Sequence, residues 1–550
     1  MTQADIVFQG GRVFCGLKEG FVQAMAIANG KVLAVGDEST IAALCGPDTE
    51  VVDLEGRIAI PGLNDAHMHL LPLGMGMSDI NLRPESGVRS LAEVFSRIEA
   101  VVKQKQPGEW VNGRGYDESE FIELRHPSLE ELDRIAPNNP VFIKRTCGHV
   151  SVANSCAMRL AGIADGIAQP QGGLIEQRDG RLTGLLAERA QRLISDVLPK
   201  PTRAQLVDCI EKAGRYMLTQ GFTSVMDAAV GMNVGMEEVY AYEEAEQSGR
   251  LPVRTWVCIY GNPDGIAEQA YELGYRNGRG TDESMLRFGA MKVFGDGSAG
   301  GLTAAMSEPY LIGDPDNRGI FCFPEVDMHR MLKHFHEQGY QLAIHGIGDA
   351  AIEQVLSGME KASSDAQPIL GRRHRIEHCG FLTADQRARM KASGIDPVPQ
   401  PLFVYEFGDR YLECVGPERA AASYPMHTWL AEGQHAAASS DAPVCTTDPF
   451  KNLYTMVTRK TNRGTVVGES ERLTMEQAVH AYTYNGAYTQ FAENVKGRLI
   501  PGQVADIAVL SHDIFSCDPS ALENEVQCDI TFLNGERVYD RVGHTVATTV

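Results

Sequence analysis

The 550-residue sequence contains no run of ~18 apolar residues, the length a helix needs to cross a bilayer. It also lacks a basic and then apolar leader; Met1-Thr2-Gln3-Ala4-Asp5 stands at the start instead. Neither a membrane span nor a secretory signal peptide is expected. The 12 cysteines are scattered, with no C-x-x-C pair, so a disulfide scaffold is not expected and reduced thiols in the cytoplasm are. There is no excess of positive charge: the net charge of −22 argues against nucleic acid as a partner. No low-complexity tract and no glycine-rich phosphate loop interrupt the chain. What remains is an ordinary globular composition, 43% hydrophobic and 22% charged, in a chain long enough for two or more domains.

Both ends read as short strands. Asp5–Phe14 carries Gly10-Gly11 between β-rich segments, a hairpin signal. Ala24–Gly36 places Asn29-Gly30 between apolar runs, which suits a type I′ hairpin. Near the C-terminus, Gly502–Leu510 reads as a strand and Ile530–Tyr539 as a second Asn-Gly hairpin. The expectation is a composite β-sandwich built from residues 1–60 and 495–550.

The middle, residues 61–494, alternates apolar strand-like runs with longer helix-like segments, the pattern of βα units around a parallel sheet. Eight runs are expected: Arg57–His69, Gly221–Asp227, Val253–Gly261, Phe288–Asp296, Gln341–Asp349, Arg373–Cys379, Ile395–Pro401 and His435–Pro443. Eight is the count of a (β/α)8 TIM barrel in the α/β class. Thr474-Met475-Glu476-Gln477 has the form of a capping box and opens a helix expected to run toward Asn485. The gap between the first two strands is far longer than one βα unit requires, so residues 75–195 are expected to form an insertion. It leaves after strand one, on the face where barrel active sites lie, as a lid or substrate-binding subdomain would.

The strand ends carry the chemistry. His67 and His69 are two apart, so a strand aims both imidazoles at one point. Later strands contribute Lys292, His345, His378 and Asp441. Singly, each has an ordinary structural use. Jointly, at the same ends of one barrel, they form a divalent metal site. Nitrogen and oxygen ligands suit Zn2+ and leave Mn2+, Fe2+ and Co2+ open. Such a site activates water as a hydroxide nucleophile, and Asp441 is placed to shuttle its proton.

The order His-x-His, Lys, His, His, Asp resembles the amidohydrolase superfamily, and more closely its amidohydrolase-3 branch, which includes N-substituted formamide deformylase. The likeness spans nearly the whole chain. It includes Pro61-Gly62 with His67-Met68-His69, Gly148-His149, Lys292–Ser298, His345–Ala350, Arg375–His378, Ser440–Pro443 and Pro501–Asp506. Leu63-Asn64 departs from the usual Phe-Ile or Phe-Val of the first motif. The resemblance implies one or two metal ions, with His67, His69 and Asp441 on one, His345 and His378 on the other, and Lys292 bridging as N6-carboxylysine. It implies a small-molecule substrate touched by His149, and a homodimer. Asp296, just past the strand-four lysine, and Gln400, at the end of strand seven, are placed to contact substrate or to orient a ligand. The expected activity is hydrolysis of a non-peptide C–N bond, an amide or N-formyl amine. Ester, lactone or carbamate hydrolysis at the same site and a non-catalytic regulatory barrel are the alternatives.

Overall fold

The computed structural model describes residues 3–541 apart from 78, 147–149, 171–172, 189 and 282. Two compact units are present, one formed by 1–72 with 203–550 and the other by 73–202.

The first unit is built on a seven-stranded, all-parallel sheet: β1 (Leu63–Met68), β2 (Phe222–Val230), β3 (Arg254–Tyr260), β4 (Leu286–Phe294), β5 (Gln341–Gly346), β6 (Arg375–His378) and β7 (Asp396–Val398). Each strand pairs with its neighbour in sequence. Nearly every position is buried, as expected of parallel strands covered on both faces. The strands are tightly spaced. A Cβ on Gly289 of β4 would lie 1.7 Å from Trp256 Cε2 of β3, so only glycine fits there.

The sheet is nearly closed. No regular eighth strand forms over His435–Pro443. Instead the extended segment bridges the two edge strands: Ala437 N donates to Pro397 O (3.2 Å), Ala66 N to Ala438 O (3.4 Å), Asp441 N to His67 O (2.8 Å) and His69 N to Ala442 O (2.7 Å). Side chains take the other ladder places. Ser440 N donates to Asp65 Oδ1 (3.0 Å), and Ala442 N to Ser440 Oγ (3.0 Å). The Ala-Ser composition has little β preference, and Ser and Asp side chains compete with backbone pairing. Asp441 itself sits at φ 57, off the strand conformation.

The expected first strand is two strands. Ile58–Pro61 belongs to a different sheet, and Gly62 turns the chain into β1. A Cβ on Gly62 would meet Thr223 Oγ1 at 2.2 Å. The chain ends supply two further sheets. One, of four strands, holds Ala4–Gln9, Ala24–Ala28, Lys31–Gly36 and Cys45–Asp53; the other, of six, holds Arg12–Gly16, Gly20–Val22 and Ile58–Pro61 with Ile507–Leu510, Cys528–Leu533 and Glu536–Asp540. They share one apolar core in which Phe8 meets Phe532 edge-on, 5.1 Å between centroids. Asn29-Gly30 and Asn534-Gly535 both have positive φ and turn hairpins. Gly10-Gly11 does not: its flanking strands lie in different sheets. The Thr474 capping box forms, with Gln477 N to Thr474 Oγ1 at 3.3 Å and Thr474 N to Gln477 Oε1 at 2.9 Å. Its helix ends at Ala481, and a second helix, Tyr484–Thr489, follows.

The second unit carries a six-stranded sheet, in spatial order Gly173–Arg178, Arg181–Glu188, Val150–Ala153, Val141–Arg145, Val111–Tyr116 and Ile80–Asn81. Alternate residues of Val141–Arg145 feed two cores on opposite faces: Val141 and Ile143 pack with Val94 and Ile98, while Phe142 packs with Met158 and Leu186. Tyr116 is fully buried in the first of these cores.

Candidate active site

The C-terminal strand ends bring the candidate residues together. His67 is the penultimate residue of β1, its ring fully buried, and His69 directly follows the strand. His378 closes β6; its ring lies 4.9 Å from that of His67 and 4.3 Å from that of His345 on β5. Asp441 reaches in from the bridging segment, its Oδ1 3.4 Å from His67 Nε2 and 3.2 Å from His69 Nε2. Donor atoms of His67, His69 and Asp441 all fall within 4.8 Å of one another. Lys292 on β4 is fully buried, its Nζ 4.9 Å over the Phe294 ring, which neighbours His345.

Each histidine has one nitrogen committed outward. His67 Nδ1 donates to Glu377 Oε2, and His69 Nδ1 to Ala228 O at 2.8 Å. His345 Nε2 donates to Gly297 O at 3.0 Å. His378 Nδ1 faces Gln400 Oε1 at 2.6 Å. The amide is oriented by its other end: Gln400 Nε2 donates to Ser439 Oγ (2.9 Å), whose own proton goes to Pro399 O (2.8 Å). His378 Nδ1 is therefore the donor. Four imidazoles thus turn their remaining lone pairs inward, the arrangement that second partners impose on metal-ligating histidines.

The inward groups lack partners. His67 Nε2, Lys292 Nζ, His345 Nδ1 and Asp441 Oδ1 are buried without a hydrogen bond among the described residues. Two neutral imidazoles would face Asp441 with lone pairs against a carboxylate, which is repulsive. Only a positive charge between them, a proton on Nε2 or a cation, relieves it. The donor set fits a divalent cation: imidazole nitrogens, a carboxylate and a lysine able to become neutral.

Electrostatics follow burial. Burial pulls the Lys292 amine below its ordinary value, against the Glu377 and Asp441 carboxylates. Burial, and then the neighbouring His345 ring, push His378 well below the ordinary imidazole range. Burial alone would raise Asp441, but His67 and His69, when they carry a proton on Nε2, outweigh it and hold the carboxyl well below its usual range. Burial alone would lower His69; Asp441 outweighs it and holds the ring above its ordinary value.

Asp296 and Gln400 are both hydrogen-bonded within the site. The Asp296 carboxylate accepts Ile347 N (3.0 Å), Gly348 N (2.9 Å) and Ala305 N (2.8 Å), and lies 3.3 Å from His345 Nε2. It ties the loops after β4 and β5 together around His345. Gln400 orients His378. His149 lies outside the described residues.

Three groups behind the histidines were not singled out from sequence. Glu377 is fully buried and takes Arg375 Nε (2.6 Å) and Nη2 (2.9 Å) besides His67. Arg375 Nη2 also donates to Ala66 O (2.7 Å), tying β6 to β1. The readable signal was an Arg and a Glu two apart, hence on one face, in an otherwise apolar strand. Asp227 on β2 accepts Tyr242 Oη and Leu71 N (2.9 Å), holding the turn after His69; burial pushes it up to about 6. Asp65 accepts Ser440 N, and burial pushes it up to about 7.

Comparison with known proteins bears on this geometry. YtcJ of Bacillus subtilis (strain 168) is 30% identical over 545 residues, covering 97% of this chain and 99% of its own. The N-substituted formamide deformylase of Arthrobacter pascens is 29% identical over 533 residues, 95% of each chain. The crystal structure of an uncharacterized metal-dependent hydrolase from Pyrococcus horikoshii OT3 superposes with a TM-score of 0.77 at 26% identity, covering 94% of this chain and 99% of that one. The Amidohydrolase family model matches residues 50–539, and with the strand-end histidines gathered as described, the chain belongs to the amidohydrolase family of hydrolytic enzymes.

Proposed function

We propose that the protein is a metal-dependent hydrolase of a non-peptide C–N bond, an amide or N-formyl amine of a small molecule. The observation that carries this reading is the set of inward lone pairs facing the Asp441 carboxylate, which calls for a cation. The similarity to an N-substituted formamide deformylase supports the choice of bond. His67, His69 and Asp441 would hold one ion; His345, His378 and Lys292 would complete a place for a second, with Zn2+ the best match to the donors. A bound divalent cation supplies Lewis acidity that makes hydroxide available near neutral pH and polarises a carbonyl.

The chain's own groups do the rest. Asp441 takes a proton from the attacking water on a carboxylate oxygen and returns it to the departing nitrogen. Glu377, Ala228 O, Gln400 and Gly297 O hold the four imidazoles in the tautomer that keeps their inward nitrogens unprotonated. Burial favours the neutral amine of Lys292, the form suited to carboxylation: its nitrogen bonds the carbon of CO2 and an N–H proton leaves, giving an anionic carbamate. The 75–195 insertion would act as a lid, and His149 within it as a substrate contact. None of the 11 described cysteines is disulfide-bonded, and no described helix is long and apolar enough to cross a membrane; a cytoplasmic location and a homodimer are the location and assembly to test.

The deciding experiment pairs metal analysis of the purified protein with a panel of N-formyl amines, amides, esters, lactones and carbamates. Turnover of the first two classes with bound divalent metal is expected. Preferred turnover of esters, lactones or carbamates would move the bond assignment. Protein that stays metal-free after reconstitution and hydrolyses nothing would sink the enzyme reading.

A further inference from the structure

The opposite, N-terminal end of the parallel strands holds a cavity of about 20 Å3, room for one water-sized guest, lined by Arg254, Trp256, Arg287, Gln490 and Lys496 among others. Its lining is cationic. Arg254 opens β3, and Arg287 is the second residue of β4, its guanidinium 4.7 Å over the Trp256 ring. Lys496 is only 8% exposed. Its Nζ donates to one neutral acceptor, Gln490 Oε1 at 3.0 Å, an oxygen that also takes Asn64 Nδ2 at 3.2 Å. No carboxylate pairs with Lys496 among the described residues. The nearby Asp506 is engaged by Arg254, 2.8 Å from its Nε. The Trp256 indole Nε1 is also buried without an acceptor.

A buried ammonium with a single amide partner, next to two guanidiniums, needs a counter-charge or must lose its proton. We propose that this cavity binds a monatomic, halide-class anion, held by the Lys496 ammonium with Arg254 and Arg287 around it. A cavity of this size suits a monatomic anion better than an oxyanion, and a halide accepts several N–H donors without fixed geometry. Burial, and then Arg254, pull the Lys496 amine well below its ordinary value. A resident anion removes that penalty and keeps the side chain charged. The site lies at the far ends of the strands from the histidine cluster, so it is separate from the hydrolytic machinery and would act on the stability of this end of the sheet.

The test uses the full-length protein. Thermal midpoints are measured while sodium bromide or chloride replaces sodium gluconate at constant ionic strength, and a bromide-soaked crystal is searched for anomalous scattering. A saturating, halide-specific rise in the midpoint and one bromide peak beside Lys496 Nζ are expected. In Lys496→Met the half-saturating halide concentration should rise by roughly tenfold or more, the loss of one charge-assisted contact. Three results would each overturn the proposal: no halide-specific shift with no peak in the cavity, an equal shift in Lys496→Met, or a peak at molar bromide alone, which marks an adventitious ion only. Should Lys496→Met fail to fold, the wild-type bromide peak and titration decide alone.

Discussion

Replacing Glu377 by Gln tests how the site is held. In the wild type the two carboxylate oxygens accept three N–H groups: Arg375 Nε, Arg375 Nη2 and His67 Nδ1. Glutamine offers one oxygen and one NH2. With the oxygen toward Arg375 Nε, the NH2 abuts His67 Nδ1, and the imidazole proton must move to Nε2, the atom aimed at Asp441. With the amide turned over, the NH2 opposes Arg375 Nε instead. Either way Arg375, fully buried, loses its charged partner. Removing one member of a buried ion pair costs about 3–5 kcal/mol, with the lower end expected here because Gln retains part of the hydrogen bonding. Loss of a partner behind a metal-ligating histidine typically weakens metal binding about 10–100-fold. Urea unfolding of metal-stripped protein reads the first quantity, and competition with a chelator reads the second. The double change Glu377→Gln with Arg375→Met tests this, because it removes the unpaired charge and leaves the amide free to turn its oxygen to His67 Nδ1; stability and metal affinity should both recover relative to the single variant. A single variant within ~0.5 kcal/mol of wild type, with metal affinity kept within about twofold, would show that Glu377 does not hold the site.

Three further outcomes are expected. Asp441→Asn should keep metal largely bound but lower kcat by about 10²–10⁴-fold, the usual weight of a positioned proton acceptor; near-normal turnover would refute the shuttle. Gly289→Ala should destabilise by about 1–3 kcal/mol or more in urea unfolding, because the added methyl overlaps Trp256 in a strand that cannot move aside; an unchanged midpoint would show the strand pair to be looser than described. Asp396 at the start of β7 is buried, and burial pushes its carboxyl up to about 7 from 3.8. The folded state therefore binds its proton more tightly, so this contribution is fully present below the unfolded pKa and is lost as pH rises toward about 7. Asp396→Asn should gain stability relative to wild type over that window, by at most ~1.4 kcal/mol per pH unit, and a pH-independent difference would count against the buried carboxyl.

What could be read from sequence followed the physics of each element. The parallel strands announced themselves as apolar runs because both their faces are covered. Arg57–His69 read as one strand because its apolar character continues through Gly62, and only the closeness of Thr223 shows why the chain must turn there. The Gly10-Gly11 signal marked a turn correctly but says nothing of pairing, and the pairing partners of its flanking strands lie elsewhere. His435–Pro443 has the position of a strand, yet Asp65 and Ser440 occupy its ladder hydrogen bonds. At the site, the inward-facing types His, Lys and Asp stand out in apolar strands. Their backing groups do not, because a carbonyl such as Ala228 O carries no residue-type signal at all. Asp296 illustrates the converse: its place just past the strand-four lysine suggested a substrate contact or a ligand-orienting group, while the three backbone N–H groups that its carboxylate accepts carry no residue-type signal.

The pairing of Ile58–Pro61 with Ile507–Leu510 has a consequence for biosynthesis. Every residue of Ile58–Pro61 is buried in the finished sheet, and its antiparallel neighbour is translated about 450 residues later. At about 5–20 residues per second, the nascent chain waits roughly 20–90 s with that apolar edge unpaired. The seven parallel strands, each next to its sequence neighbour, can assemble meanwhile. The six-stranded terminal sheet must close last, which makes early termination near the C-terminus a route to an aggregation-prone edge rather than to a slightly shortened enzyme.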